Sequence, residues 1–293
     1  MLFIDGLPRP RPDRLARRSE SGTKTGYLTV SVDDGHPSDM RSAELLQKLG
    51  LKATFYVPAR NPERALMSLQ GIQEVAKHFE VGSHTFNHKP LGGLSDEEAR
   101  AEIHDGKAWL EDVAGGEVVA FCYPKGKFHA GSVKLVREEG FLGARTCMLN
   151  VNSFPENPFL WGVSTHGHSH PAAIQIRHAL LEKNFRGMFN FVFTHRLART
   201  WSEHFRHAVD SVEKHGGVAH LYFHSWEIDE QGQWNDLTRL LENISQRKGL
   251  VRLTNGDLFK LWHARTKKGG QGSREDKEGD LPLRNQQESR GAV

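Results

Sequence analysis

Between residues 27 and 254, short runs of β-forming residues alternate with amphipathic helical stretches, and several runs end on a residue that can bind a metal or carry a proton. Strands are expected at Tyr27–Asp33, Lys52–Val57, Phe79–Ser83, Val118–Tyr123, Leu142–Thr146, Val218–His224 and Val251–Thr254. Helices are expected between them. One covers Met40–Leu49 and is closed by Gly50. A second starts at Ser68 and carries Ile72, Val75, Ala76 and Phe79 on one face. A third runs from the capping box at Ser95–Glu98 to Gly115. Three more cover Ser132–Glu139, the stretch through Phe205, Ala208, Val209 and Val212, and Leu237–Ile244. Strands joined by helices of this length read as βαβ units with parallel strands. Seven or eight such units suit a closed or nearly closed (β/α) barrel, in which all strand C-termini meet at one face and active sites lie there.

The chain has 293 residues, 37% of them hydrophobic, enough for one large domain over 26–263. Residues 1–25, rich in Pro and Arg, and the polar stretch 264–293 read as disordered tails. The net charge of +3 is mild, and basic residues do not interleave with aromatics, so a nucleic-acid partner is not indicated. Cys122 and Cys147 are too few for a disulfide framework and read as reduced core residues. No apolar leader and no run of about 18 apolar residues is visible, so a cytoplasmic protein without an integral membrane segment is expected. The oligomeric state is not legible. Residues 149–200 read as an insertion or lid with one helix near Ala172–Glu182. It carries His166, His168 and His170, which read as a second metal site, a specificity loop over the barrel mouth, or a polar surface strand.

Four segments carry the chemistry. Asp33-Asp34-Gly35 ends the first strand, and two adjacent carboxylates need a cation or proton between them, unless they only form a polar turn and helix cap. His84 and His88 stand at i and i+4; on a helical turn they would share one face and could share a metal. Tyr123-Pro124-Lys125-Gly126 breaks a strand and can leave backbone N–H groups to receive an oxyanion, or is an ordinary exit turn. His224 ends a hydrophobic strand and reads as an acid with a tuned pKa or as a core histidine.

In order and spacing, Ser31–Gly35, His84–His88 and Leu221–His224 resemble the motifs of the NodB-like polysaccharide deacetylases. These are metal-dependent carbohydrate esterases on a distorted (β/α) barrel of seven or eight strands. The resemblance covers roughly residues 25–262. It implies that Asp34, His84 and His88 hold one divalent metal, zinc foremost, with cobalt, nickel or iron as alternatives. It implies that Asp33 is the base for a metal-bound water, that the Lys125 N–H stabilises the oxyanion, and that His224 protonates the leaving amine. Many members carry an arginine where this chain has Cys122; another branch has Phe-x-Tyr-Pro-x-Gly with an arginine on the next strand, which makes Arg145 the expected partner of Asp33. Tyr123, Pro124, Lys125, Trp226 and His168 are expected to meet the substrate. The implied activity is removal of an N-acyl group, acetyl foremost, from a sugar or glycoconjugate. The alternatives are a deformylase or other C–N hydrolase on a small non-sugar amide, an inactive carbohydrate-binding protein, and, ranked low, a non-haem iron oxygenase.

Overall fold

The computed structural model describes residues 25–181 and 184–269. Residues 1–24 and 270–293 of the two stretches read as tails lie outside the described residues, whereas 264–269, read as part of the second, belong to the last helix. The elements follow the expected alternation: β1 (Gly26–Asp33), α1 (Asp39–Lys48), β2 (Thr54–Val57), α2 (Leu69–His78), β3 (Glu80–Ser83), α3 (Asp96–Ala114), β4 (Ala120–Cys122), α4 (Ala130–Glu138) and β5 (Gly143–Arg145). After the insertion come β6 (Thr165–His166), α5 (Ala172–Leu181), α6 (Phe185–Phe189), α7 (Trp201–His215), β7 (Gly217–Phe223), α8 (Ser225–Glu230), α9 (Trp234–Ser245), β8 (Leu250–Arg252) and α10 (Asn255–Gly269).

The strands form one sheet in the order β5-β4-β3-β2-β1-β7-β6, with β8 paired to the start of β1. Every pairing is parallel. The sheet curls until its two ends meet. Trp161 bridges Arg145, and the Thr146 N–H donates to the Trp161 carbonyl at 2.7 Å. A few residues on, the Ser164 N–H donates to His220 O at 3.1 Å and the Gly167 N–H to Tyr222 O at 2.7 Å. The expected distorted barrel is thus present, and its last stave is the insertion. A polar surface strand was one of three readings of this stretch; β6 is a strand of two residues, but it is buried rather than on the surface.

Alternation along each strand decides what faces the barrel axis. On β1, Leu28, Val30 and Val32 pack outward against helices in the main core, while Tyr27, Thr29, Ser31 and Asp33 face inward. On β7, Ala219, Leu221 and Phe223 pack outward, leaving His220 and Tyr222 inside. The interior is layered. Tyr27, Tyr56, Trp161 and Phe259 fill its lower end. Above them His220 is fully buried between the hydroxyls of Thr29 (2.6 Å) and Ser31 (3.0 Å), a satisfied core histidine kept neutral by burial. Asp33 and Arg145 form the uppermost layer. Helix α10 was not anticipated. Its sequence is too polar toward the C-terminus to read as amphipathic, yet Phe259 lies so close to Gly143 that a Cβ there would sit 2.4 Å from the ring.

Candidate metal centre

Asp33 closes β1 on the inward face, and Asp34 then turns away with φ at 81°, a left-handed conformation unusual for a residue bearing a Cβ. Thr85, His88 and Lys125 share this conformation, with φ of 65°, 56° and 56°. Four strained residues in three motif segments mark backbone held against its preference around one point.

The expected helical turn at His84–His88 is absent. The segment is an irregular loop, because left-handed Thr85 and His88 preclude a helix, and the two rings converge instead through α3. The Phe86 N–H donates to the Glu102 carbonyl at 2.9 Å. The buried Glu102 carboxylate accepts from the Asn87 N–H and side-chain amide, both at 2.8 Å. Gly106 lets the loop approach, since a Cβ there would lie 2.7 Å from the Thr85 carbonyl carbon. Gly106→Ala is therefore expected to cost about 1–3 kcal/mol by overpacking. It should also weaken metal retention through displacement of His84 and His88, checked by thermal melting and by titration with zinc. Retention equal to wild type would show that α3 does not position the loop. Nothing in the sequence singled out Glu102 or Gly106, since both read as ordinary helix residues.

His84 donates from Nδ1 to the Cys122 carbonyl at 2.8 Å, which directs its Nε2 lone pair toward Asp34. His84 Nε2 lies 3.6 Å and His88 Nε2 3.2 Å from Asp34 Oδ1. All three residues are buried, and Asp34 Oδ1 accepts no hydrogen bond. An orphaned carboxylate oxygen facing two ring nitrogens that are not aligned to donate to it fits a cation between them. Burial works against the Asp34 charge, but the His84 and His88 imidazoles outweigh it and hold the carboxyl well below the usual range. The other oxygen, Oδ2, accepts from the Trp226 indole at 2.9 Å. Asp34, His84 and His88 thus form one of three groups among the described residues whose ligand atoms lie within 4.8 Å of one another.

On one side stands Asp33. Its Oδ2 accepts from the guanidinium of Arg145, which is fully buried, the partner that the family resemblance implied. Burial disfavours the Arg145 charge, and Asp33 restores it. Arg145 also lies 4.6 Å from the Tyr222 ring and donates to the Thr146 carbonyl at 3.2 Å. Asp33 Oδ1 is buried with no hydrogen-bond partner, open to accept a proton. Cys122 stands where many members of the family carry an arginine. Its thiol reaches Oδ2 at 3.9 Å, a weak contact beside the guanidinium.

On the other side, His224 Nε2 lies 3.9 Å from Asp34 Oδ2 and Nδ1 is 2.7 Å from Glu227 Oε2. Burial opposes the imidazolium, yet Glu227, Asp34 and Asp33 push its pKa up to about 9. The same Glu227 oxygen meets His166 Nε2 at 3.0 Å, and burial lowers the His166 pKa to about 4. His166 is therefore neutral and donates from Nε2, while His224 carries the charge. His168 sits at the rim, 2.7 Å from Gln231 Nε2. The histidine run thus serves the His224 side through His166, a role its sequence spacing did not reveal. Glu227→Gln should lower the His224 pKa, so activity is lost on the alkaline side about one pH unit earlier. A pH profile of kcat/KM checks this, and an unmoved alkaline limb would show that Glu227 does not govern the acid.

Two expected substrate contacts, Tyr123 and Pro124, need correction. Tyr123 is fully buried, stacked on Phe128 at 4.3 Å with its hydroxyl on the Phe159 carbonyl, so its side chain cannot meet a ligand. Pro124 is buried at the start of a tight turn. Trp226 is committed to Asp34, and the Arg64 guanidinium covers its ring at 3.6 Å, which leaves that face closed to a sugar. Lys125 is exposed, with its ammonium paired to Glu63.

Fold and site together define a parallel α/β barrel of the NodB-homology type. The sequence pattern of the family described as polysaccharide deacetylase matches residues 20–144. YxkH of Bacillus subtilis (strain 168), by designation a polysaccharide deacetylase, is 24% identical over 117 residues, covering 39% of this chain and 42% of its own. The chain thus spans less than half the length of that relative. The fold resembles a Mycobacterium smegmatis crystal structure assigned to the polysaccharide deacetylases, with TM-score 0.54 and 17% identity over 90% of this chain and 98% of that one. It also resembles the Xyl-CE4 domain of a multidomain xylanase from the hindgut metagenome of Trinervitermes trinervoides, with TM-score 0.51 and 16% identity over 82% and 92%. Motifs, matched sequence and barrel make the chain similar to the NodB-like polysaccharide deacetylases, with the sequence match confined to residues 20–144.

Proposed function

We propose that the protein is a metal-dependent hydrolase that removes an N-acyl group, acetyl foremost, from a sugar or glycoconjugate. One observation carries the reading. The Asp34–His84–His88 group is flanked by a carboxylate with an open oxygen, Asp33, and by a charged imidazole, His224. A binding protein needs neither a base nor an acid, and a fold alone does not imply turnover. Asp34, His84 and His88 would hold one divalent ion, zinc foremost, which when bound acidifies water and polarises the acyl carbonyl. Asp33, fixed through Oδ2 by Arg145, takes the proton of the attacking water on Oδ1. The Lys125 N–H receives the developing oxyanion. His224, held charged by Glu227, delivers a proton to the nitrogen so that the amine can leave. The iron-oxygenase reading gives Asp33 and His224 no task.

Elemental analysis after chelation and re-addition of zinc, cobalt or nickel, followed by assay of acetate and formate release from N-acyl sugars and small amides, tests this. One equivalent of metal with acetate release is expected. Formate release from a non-sugar amide would move the assignment to a deformylase. Absence of metal binding under every condition would remove the hydrolase reading.

A further inference from the structure

We propose that the face formed by α5, α6 and the turn after them docks on the surface of an anionic lipid bilayer. Of the nine large hydrophobic side chains exposed among the described residues, seven lie in this one segment: Ile174, Leu180, Leu181, Phe185, Phe189, Phe193 and Leu197. Phe185, Phe189 and Phe193 follow one another at intervals of four along continuous helical backbone and are 61%, 58% and 66% exposed. A stripe of three bare aromatic rings is far outside what a free surface usually carries. The exposure does not come from loose packing. Phe191 on the opposite side is buried, and Asn184 and Asn190 tie the segment down by donating to the carbonyls of Leu149 and Asn150, each at 2.9 Å.

Charge decides the occupant. Arg177, Arg186, Arg196 and Arg199 are exposed around the stripe, and the described residues of 172–200 include no Asp or Glu. One acidic neighbour, Glu156, meets Arg186 at 3.2 Å. A second copy of this chain would set arginine against arginine, at a cost. At a lipid surface the rings enter the headgroup–acyl boundary and the guanidinium groups meet phosphates. No helix among the described residues is long and apolar enough to cross a membrane, so the contact would be peripheral. Gln175 and Arg199, near the ends of the segment, line a small cavity together with His166, His168 and His170, which puts the stripe beside the barrel mouth. The proposal is independent of the reaction assigned to that mouth.

The test is co-sedimentation of the full chain with phosphatidylcholine vesicles, with and without phosphatidylglycerol. Binding is expected to the anionic vesicles and to weaken with salt. Phe185→Ser/Phe189→Ser/Phe193→Ser should lower partitioning about tenfold or more with an unchanged circular-dichroism spectrum, since the rings contact solvent. Arg177→Gln/Arg199→Gln should weaken binding and flatten its salt dependence. Phe189→Trp should show blue-shifted emission only with vesicles that bind. Failure of the wild type to bind anionic vesicles at low salt would overturn the proposal. So would equal binding by the triple serine variant. Conversion of a dimer to a monomer by that variant, with vesicles ignored by both, would instead identify a self-association surface.

Discussion

Asp33→Asn is expected to depress turnover about 10²–10⁴-fold while the protein still binds its metal. The amide cannot take a proton from water, and Asp34, His84 and His88 are untouched. The substitution has a second effect that must be separated from the first. Asp33 is the counter-ion of a fully buried guanidinium, so its neutralisation leaves Arg145 as an uncompensated interior charge. Breaking one side of a buried pair costs about 3–5 kcal/mol, a large part of the stability of an ordinary domain. The single variant should therefore melt at lower temperature as well as lose activity. Asp33→Asn/Arg145→Met removes both charges and should recover most of that stability without recovering turnover. Activity that returns with stability, or that survives in the folded single variant, would remove Asp33 from the base role.

His84→Ala should abolish tight metal binding, taking elemental analysis from one equivalent to a trace. In the proposed centre His84 would supply one ring nitrogen, and its orientation is set by the Cys122 carbonyl. A metal that binds only the folded state stabilises it, by about 2.7 kcal/mol at a hundredfold excess over Kd. Chelation should therefore lower the melting temperature of the wild type and leave that of His84→Ala unchanged. Variant metal content equal to wild type would sink the ligand assignment, whatever happens to activity.

The elements of the barrel were legible because their signals are local. Period-2 runs and apolar helical faces survive in any window of ten residues, and each expected strand is present with ends shifted by a few residues. Helices α6, α8 and α10 were not legible. The first two are short, and α10 depends on Phe259 filling the barrel below Gly143. At the site, the residues placed by motif spacing converge as expected: Asp34 with His84 and His88, Asp33 with Arg145, and His224 at the opposite edge. Tyr123 and Pro124 were misread as substrate contacts, because a motif names a residue without telling which way its side chain points.

What the sequence determined by itself was the alternation that yields a parallel barrel and the set of residues that can bind a cation and move protons. The alternation follows from residue type and spacing, and the residue set from the resemblance of the motifs to those of the NodB-like family. Tertiary structure decided how those residues are supported. Glu102 and Gly106 of α3 fold the His84–His88 loop into a shape no local propensity favours. Glu227 couples His224 to His166 across 58 positions of chain. The insertion closes the barrel by backbone pairing, to which side-chain pattern contributes almost nothing. Hydrogen bonds between residues far apart in sequence leave no periodic trace along it, so only the folded chain shows them.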